Sequence, residues 1–263
     1  MASELKDLWK IIKQLDRKII IIFISVSVLQ TISYYYTSRR FFRYNYFEQL
    51  QSDKNIFLYE YIYWFAGDFF TLFILPLLII KFLLKEKLNA YGLKVGDYRV
   101  GLKYSIIFLA IMIPIVWFVS ANRDFIDTYP QLNDVKYSWS IFLVFESGIL
   151  LYMIAWEFIW RGFMLFGLEE KFGYYAVLIQ MIPFLILHNG KPAVETFGAI
   201  IAGLALGIFA LKTRSVLYCI ITHAGVMFSI DLVSTLRFRA DAYGTGLSSL
   251  MKIFKIIFKG IIK

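Results

Sequence analysis

The sequence is poor in the residues that build most recognisable catalytic and metal sites. Its 263 residues include one cysteine, Cys219, and two histidines, His188 and His223. A single cysteine excludes an internal disulfide and any cysteine-rich metal site. There is no H-E-x-x-H stretch, no G-x-S-x-G elbow, no paired-aspartate intramembrane motif and no Walker or dinucleotide-binding loop. Charge is also scarce. Asp, Glu, Lys and Arg make up 18% of the chain against 59% hydrophobic residues, so a soluble domain would have to expose large apolar patches. What the chain does have is long apolar runs separated by charged connections, the pattern of a polytopic helical membrane protein.

The expected fold is therefore all-α, a transmembrane bundle of about seven to eight spans. Residues 1–18 are mixed in charge and read as a cytoplasmic or interfacial segment. Residues 19–89 hold the first two spans, Ile19 to about Tyr36 and Tyr61 to Leu84. Residues 90–236 form a membrane core with spans near Tyr104–Ser120, Ser140–Phe166, Tyr174–His188, Phe197–Leu211 and Val216–Leu236. The fourth is long enough to tilt or to break near Gly162. In the tail, residues 237–263, lysines at 252, 255, 259 and 263 recur at helical spacing opposite Ile and Phe. That spacing predicts a cationic amphipathic helix lying on the membrane, with an eighth span as the alternative. The first apolar run lacks a small-residue cleavage site and reads as a retained anchor.

The net charge of +9 suits either nucleic acid or an anionic membrane surface. Most basic residues flank apolar runs and no nucleic-acid motif is present, so the partners expected are membrane lipids and not nucleic acid. Basic stretches at the N-terminus, Lys81–Lys103 and Lys212–Arg214, against the acidic Arg123–Asp134 loop, place the N-terminus in the cytoplasm of a multi-pass cell-membrane protein. Seven spans then put the cationic tail outside, against the same rule. Either the count differs by one or the tail lies on the surface and counts for little.

Ionisable groups inside apolar spans need partners. Glu157 and Arg161 in "AWEFIWRGFM" stand at i and i+4, on one helical face, and read as an ion pair that makes burial of both tolerable. Glu146 lies eleven residues earlier, nearly in line and about 16 Å away. His188 closes the run "IPFLILH", with Phe184 one turn before it. His223 sits deep in "LYCIITHAGVMFSIDL", on one face with Cys219 and Met227, and Asp231 lies roughly 80° round the helix. Bland readings are a helix-end histidine bonded to a backbone carbonyl and a packing contact. If the three spans meet, Glu157, His188 and His223 could hold Zn²⁺. They could equally activate a water, Glu157 as general base with His188 assisting and His223 stabilising an oxyanion.

These segments resemble the CAAX protease and bacteriocin-processing family, also called Abi proteins or glutamic intramembrane proteases. The family pattern is a Glu-Glu-x-x-x-Arg helix, a Phe-x-x-x-His helix and a His-x-x-x-Asn helix. "WEFIWRG" matches the first with Glu157 and Arg161, "FLILH" matches the second in full, and "HAGVM" matches the third at His223. The resemblance spans residues 90 to 235. It implies a metal-independent endopeptidase without cofactor, acting on a membrane-associated peptide or protein, with Glu157, Arg161, His188 and His223 catalytic. Glu146, Asp231 and Phe184 are possible supporting residues. Trp156 stands where the family carries its catalytic carboxylate, and Met227 where an asparagine helps form the oxyanion hole. An inactive immunity or scaffold protein on the same fold, and a small-solute transporter, are the alternatives.

Overall fold

A computed structural model describes residues 13–261. The expected segment 1–18 falls mostly outside this range, as does Lys263. No strand occurs among the described residues. In hydrocarbon each backbone polar group must be bonded within its own segment, so long apolar runs become helices. In chain order these are α1 (Arg17–Asn45), α2 (Ile56–Leu84), α3 (Tyr98–Val119), α4 (Trp139–Phe172), α5 (Tyr175–Ile186), α6 (Ala193–Thr213), α7 (Leu217–Ala240) and α8 (Leu247–Ile261). All but α5 and α8 are long and apolar enough to cross a membrane. Helix α5 has 12 residues, a rise of about 18 Å against roughly 30 Å of hydrocarbon. Seven apolar helices thus stand where seven spans were expected, six of them of full length. The long fourth run is unbroken, but its turns widen to π type over Phe158–Phe166, around Gly162.

Side-chain caps start α1, α3 and α4. Asp16 accepts from the backbone amides of Lys18 and Ile19, Asp97 from Val100 and Ser138 from Ile141. One end of the bundle is closed by Lys18, which reaches Glu86 at 3.0 Å and Glu170 at 3.6 Å. The linker after α2 is pinned at that same end. Gly96, at φ +63°, comes so near the α6 terminus that a Cβ there would lie 2.1 Å from the Thr213 carbonyl oxygen. Ser215 Oγ donates to the Lys94 carbonyl at 2.5 Å.

The opposite end is closed by Arg237. Its guanidinium donates to Ser120 Oγ and to the carbonyls of Trp117, Ala242 and Gly244, at 2.6 to 2.8 Å. Helix α8 begins beyond this clamp and packs Ile253 against Leu236 and Ala242. The lower face of the expected amphipathic tail is therefore occupied by the bundle. Leu247, Met251, Phe254 and Phe258 form a second apolar stripe that stays exposed.

Helices α1 and α2 are joined by polar contacts inside the apolar layer. Asp68 accepts from Ser33 Oγ (2.7 Å), Thr37 Oγ1 (2.6 Å) and Trp64 Nε1 (2.7 Å). Glu60 is bonded to both Arg39 and Arg43. Helix α4 is the centre of the bundle: every residue from Ala155 to Leu168 is buried. A helix surrounded on all sides can be apolar all round. That is the local reason Glu157 and Arg161 have no lipid-facing side to escape to.

Candidate active site

Glu157 and Arg161 leave α4 one turn apart, both with fully buried side chains. Arg161 Nη1 donates to Glu157 Oε1 at 3.1 Å. The same oxygen lies 2.6 Å from His223 Nδ1, on α7. Glu157 thus joins a guanidinium on its own helix to an imidazole 66 residues further along. The Arg161 charge favours the ionised carboxylate, which only accepts hydrogen bonds, so the pairing assigns the proton to His223 Nδ1. Nε2 then carries the lone pair. The His223 side chain is 14% exposed, against zero for Glu157 and Arg161. The imidazole is the part of this trio that reaches an accessible surface.

The second histidine arrives from α5. His188 Nδ1 lies 2.7 Å from the Phe184 carbonyl oxygen. A carbonyl can only accept, so Nδ1 is again the protonated nitrogen and Nε2 the free one. Phe184 holds the group together. Its ring centroid is 4.0 Å from the Arg161 guanidinium carbon, 4.5 Å from the His188 ring and 6.2 Å from the His223 ring. Cation–π attraction on a desolvated guanidinium is worth about 2 kcal/mol, and here it locks α5 onto α4. Trp156 packs against both Phe184 and His188, each at 5.9 Å between centroids. An indole therefore packs against one side of the His188 ring.

The structure brings Glu157, Arg161, Phe184, His188 and His223 together. Glu146 and Asp231 are not among them: their carboxyl groups face each other between α4 and α7. Glu146 lies about three helical turns from Glu157, so this pair does not stand in for the carboxylate that Trp156 displaces. Cys219 is buried, with its thiol on the Leu206 carbonyl. Among the described residues no three Cys, His, Asp or Glu side chains converge as a metal-ligand set. Glu157 and His223 bind each other, and His188 turns its Nδ1 to its own helix. Around the Glu157–Arg161 pair, the buried polar atoms left without a protein partner are Glu157 Oε2, Arg161 Nε and Nη2, and Trp160 Nε1. Trp160 was not signalled by the motif pattern, because an indole inside an apolar run looks like packing.

A model of the family described as type II CAAX prenyl endopeptidase Rce1-like matches residues 137–229. Over these residues the chain is similar to the CAAX protease family. The matched segment runs from the start of α4 to the middle of α7 and contains Glu157, Arg161, Phe184, His188 and His223. No curated protein and no solved structure matches the chain. The matched family is one of peptidases, and the six long apolar helices make this chain a multi-pass membrane protein.

Proposed function

We propose that this protein is an intramembrane endopeptidase in which Glu157 and His223 together activate water. The observation that carries the reading is the 2.6 Å contact between Glu157 Oε1 and His223 Nδ1. Glu157 holds the imidazole in one tautomer and balances the imidazolium that forms, and Arg161 balances Glu157. His223 Nε2 takes a proton from water as the oxygen adds to a peptide carbonyl, then returns it to the leaving amine. His188 Nε2, also a lone pair, orients the same water by accepting its other hydrogen. The developing oxyanion needs donors, and Arg161 Nε and Nη2 and Trp160 Nε1 are unengaged. This moves His223 from oxyanion donor to proton acceptor, because its Nδ1–H is already committed. No step needs a metal, so a chelator leaves the rate unchanged.

The substrate class follows from the family description: a membrane-associated peptide or protein, with a prenylated C-terminus as the first candidate. The bundle end bearing Arg17, Lys85, Lys87, Lys94, Lys212 and Arg214 is assigned to the cytoplasm. A second reading is favoured by Trp156, which supplies no base, and Met227, which supplies no hydrogen-bond donor: a non-catalytic membrane scaffold or immunity protein on the same fold. Proteoliposomes separate the two. Given a farnesylated CAAX-type peptide and its unprenylated twin, the wild type should cut at least one. Glu157→Ala and His223→Ala should each lose about 10²- to 10⁴-fold. No cleavage of either peptide by folded wild type, or equal cleavage by the variants, favours the scaffold.

A further inference from the structure

The turn that carries His188 is tied down by a cluster that belongs to no family motif. Residues 187–192 join the short helix α5 to α6 and contain Gly190 at φ +94°. The His188 carbonyl accepts from Thr196 Oγ1 at 3.0 Å and from the Lys191 amide at 3.1 Å. Lys191 Nζ in turn donates to Tyr129 Oη at 3.0 Å, and the same hydroxyl donates to the Glu195 carboxylate at 2.7 to 2.8 Å. Tyr129 comes from a different part of the bundle. It sits in the loop after α3, 1% exposed, packed among Phe125, Val116 and Ile230 of α3, α7 and the loop itself. The Lys191 ammonium also lies over its ring, 4.9 Å from the centroid.

Tyr129 is buried, and Lys191 and Glu195 are half-buried beside it, at a cost that mutual pairing offsets. Burial pushes the Lys191 ammonium down, opposed by attraction to Glu195 and to Asp231 of α7. Helix α5 holds the His188 ring by its own Phe184 carbonyl, but that bond fixes the ring relative to α5 only. Something must set the end of α5 against α7, where His223 stands. We propose that Tyr129, Lys191 and Glu195 form a clamp that positions the His188 imidazole opposite His223. They are positioning residues: none touches Glu157, His188 or His223 side chains directly. The proposal rests on the reading of His188 as a working group of the site, and the test keeps the two apart.

The chain has two histidines, so ¹⁵N-histidine labelling gives signals from two imidazoles, assigned with His188→Asn and His223→Asn. In detergent-solubilised full-length protein, Tyr129→Phe keeps the ring and deletes the hydroxyl. The expected result is a displaced or broadened His188 signal with His223 little changed. Lys191→Ala should do the same, and Lys191→Arg should restore the wild-type position. Where peptide cleavage is measurable, Tyr129→Phe should lower kcat about tenfold and leave KM within about twofold, as expected for a small displacement of a working group. Unmoved His188 signals in folded Tyr129→Phe and Lys191→Ala overturn the proposal, whether or not the wild type cleaves anything. If the wild type proves to have no peptidase activity but His188 still moves, the clamp stands and the function reading fails. Should neither variant fold, Glu195→Gln provides the same readout. Loss of folding in all three would make the cluster a prop of the bundle and also overturn the proposal.

Discussion

Glu157 and Arg161 cannot be separated without cost. Both are fully buried, and Glu157→Gln leaves the guanidinium without its charge partner. Stranding one member of a buried pair costs about 3–5 kcal/mol. Thermal unfolding in detergent should register Glu157→Gln as strongly destabilised, and a stability equal to wild type would mean that Arg161 finds another counter-charge. Trp156 makes the complementary case. Its indole lies against His188, so Trp156→Glu would set a carboxylate beside that imidazole, where the family resemblance places the catalytic one. The variant should cut a reporter peptide at least tenfold faster than wild type, a gain of the size one added general base supplies. A folded Trp156→Glu protein with unchanged rate would show that His188 is not where water is activated. The spacing of Glu157 with Arg161 and of Phe184 with His188 was legible from the residues alone, because helical periodicity fixes which neighbours meet. The partner of Glu157 was not: His223 lies 66 residues away, and only the packing of α7 on α4 selects it.

Element boundaries followed the apolar runs where lipid sets the limit and departed from them where side chains do. Helix α1 outruns the apolar run ending near Tyr36: it breaks at Ser38, whose side chain caps a further helical stretch to Asn45, from which Arg39 and Arg43 reach Glu60 on α2. Helix α5 stops at Ile186, short of the expected His188, because residues 187–192 turn under the clamp of Tyr129 and Lys191. Nothing in the local pattern marks Tyr129, since its partners come 62 and 66 residues later. Small residues decide how closely helices approach in lipid, and Gly67 is such a place. A Cβ at this position would lie 2.5 Å from Thr37 Cβ, at the point where Thr37 donates to Asp68. Gly67→Ala should cost about 1–3 kcal/mol by prising α1 from α2. Unfolding in mixed detergent and SDS micelles measures it, and an unchanged midpoint would mean the two helices separate freely at that contact.

At the scale of the whole molecule seven apolar helices, six of them long enough to cross a membrane, lie between a Lys18 end and an Arg237 end. Lys18 bonded to Glu86 and Glu170 defines the first, and Arg237 bonded to Ser120 and Trp117 defines the second. The seventh helix finishes at the Arg237 end, so α8 lies opposite the start of α1. The tension in the basic-residue count is thereby carried by α8, whose Ile253 packs on the bundle while its outer stripe faces away. Cys219 is buried, which suits the chain to substituted-cysteine labelling. Lys87→Cys and Asn133→Cys should react with a membrane-impermeant maleimide from opposite faces of the membrane. Labelling of both from one face would contradict a membrane-crossing α3.

The account turns on whether the meeting of α4, α5 and α7 cuts peptide bonds. The most direct measurement is mass-spectrometric profiling of peptide termini in membranes from cells making wild-type, Glu157→Ala, His188→Ala or His223→Ala protein at equal levels. The account predicts at least one new terminus in wild-type membranes that is lost in all three variants. An identical set of termini in all four would contradict it.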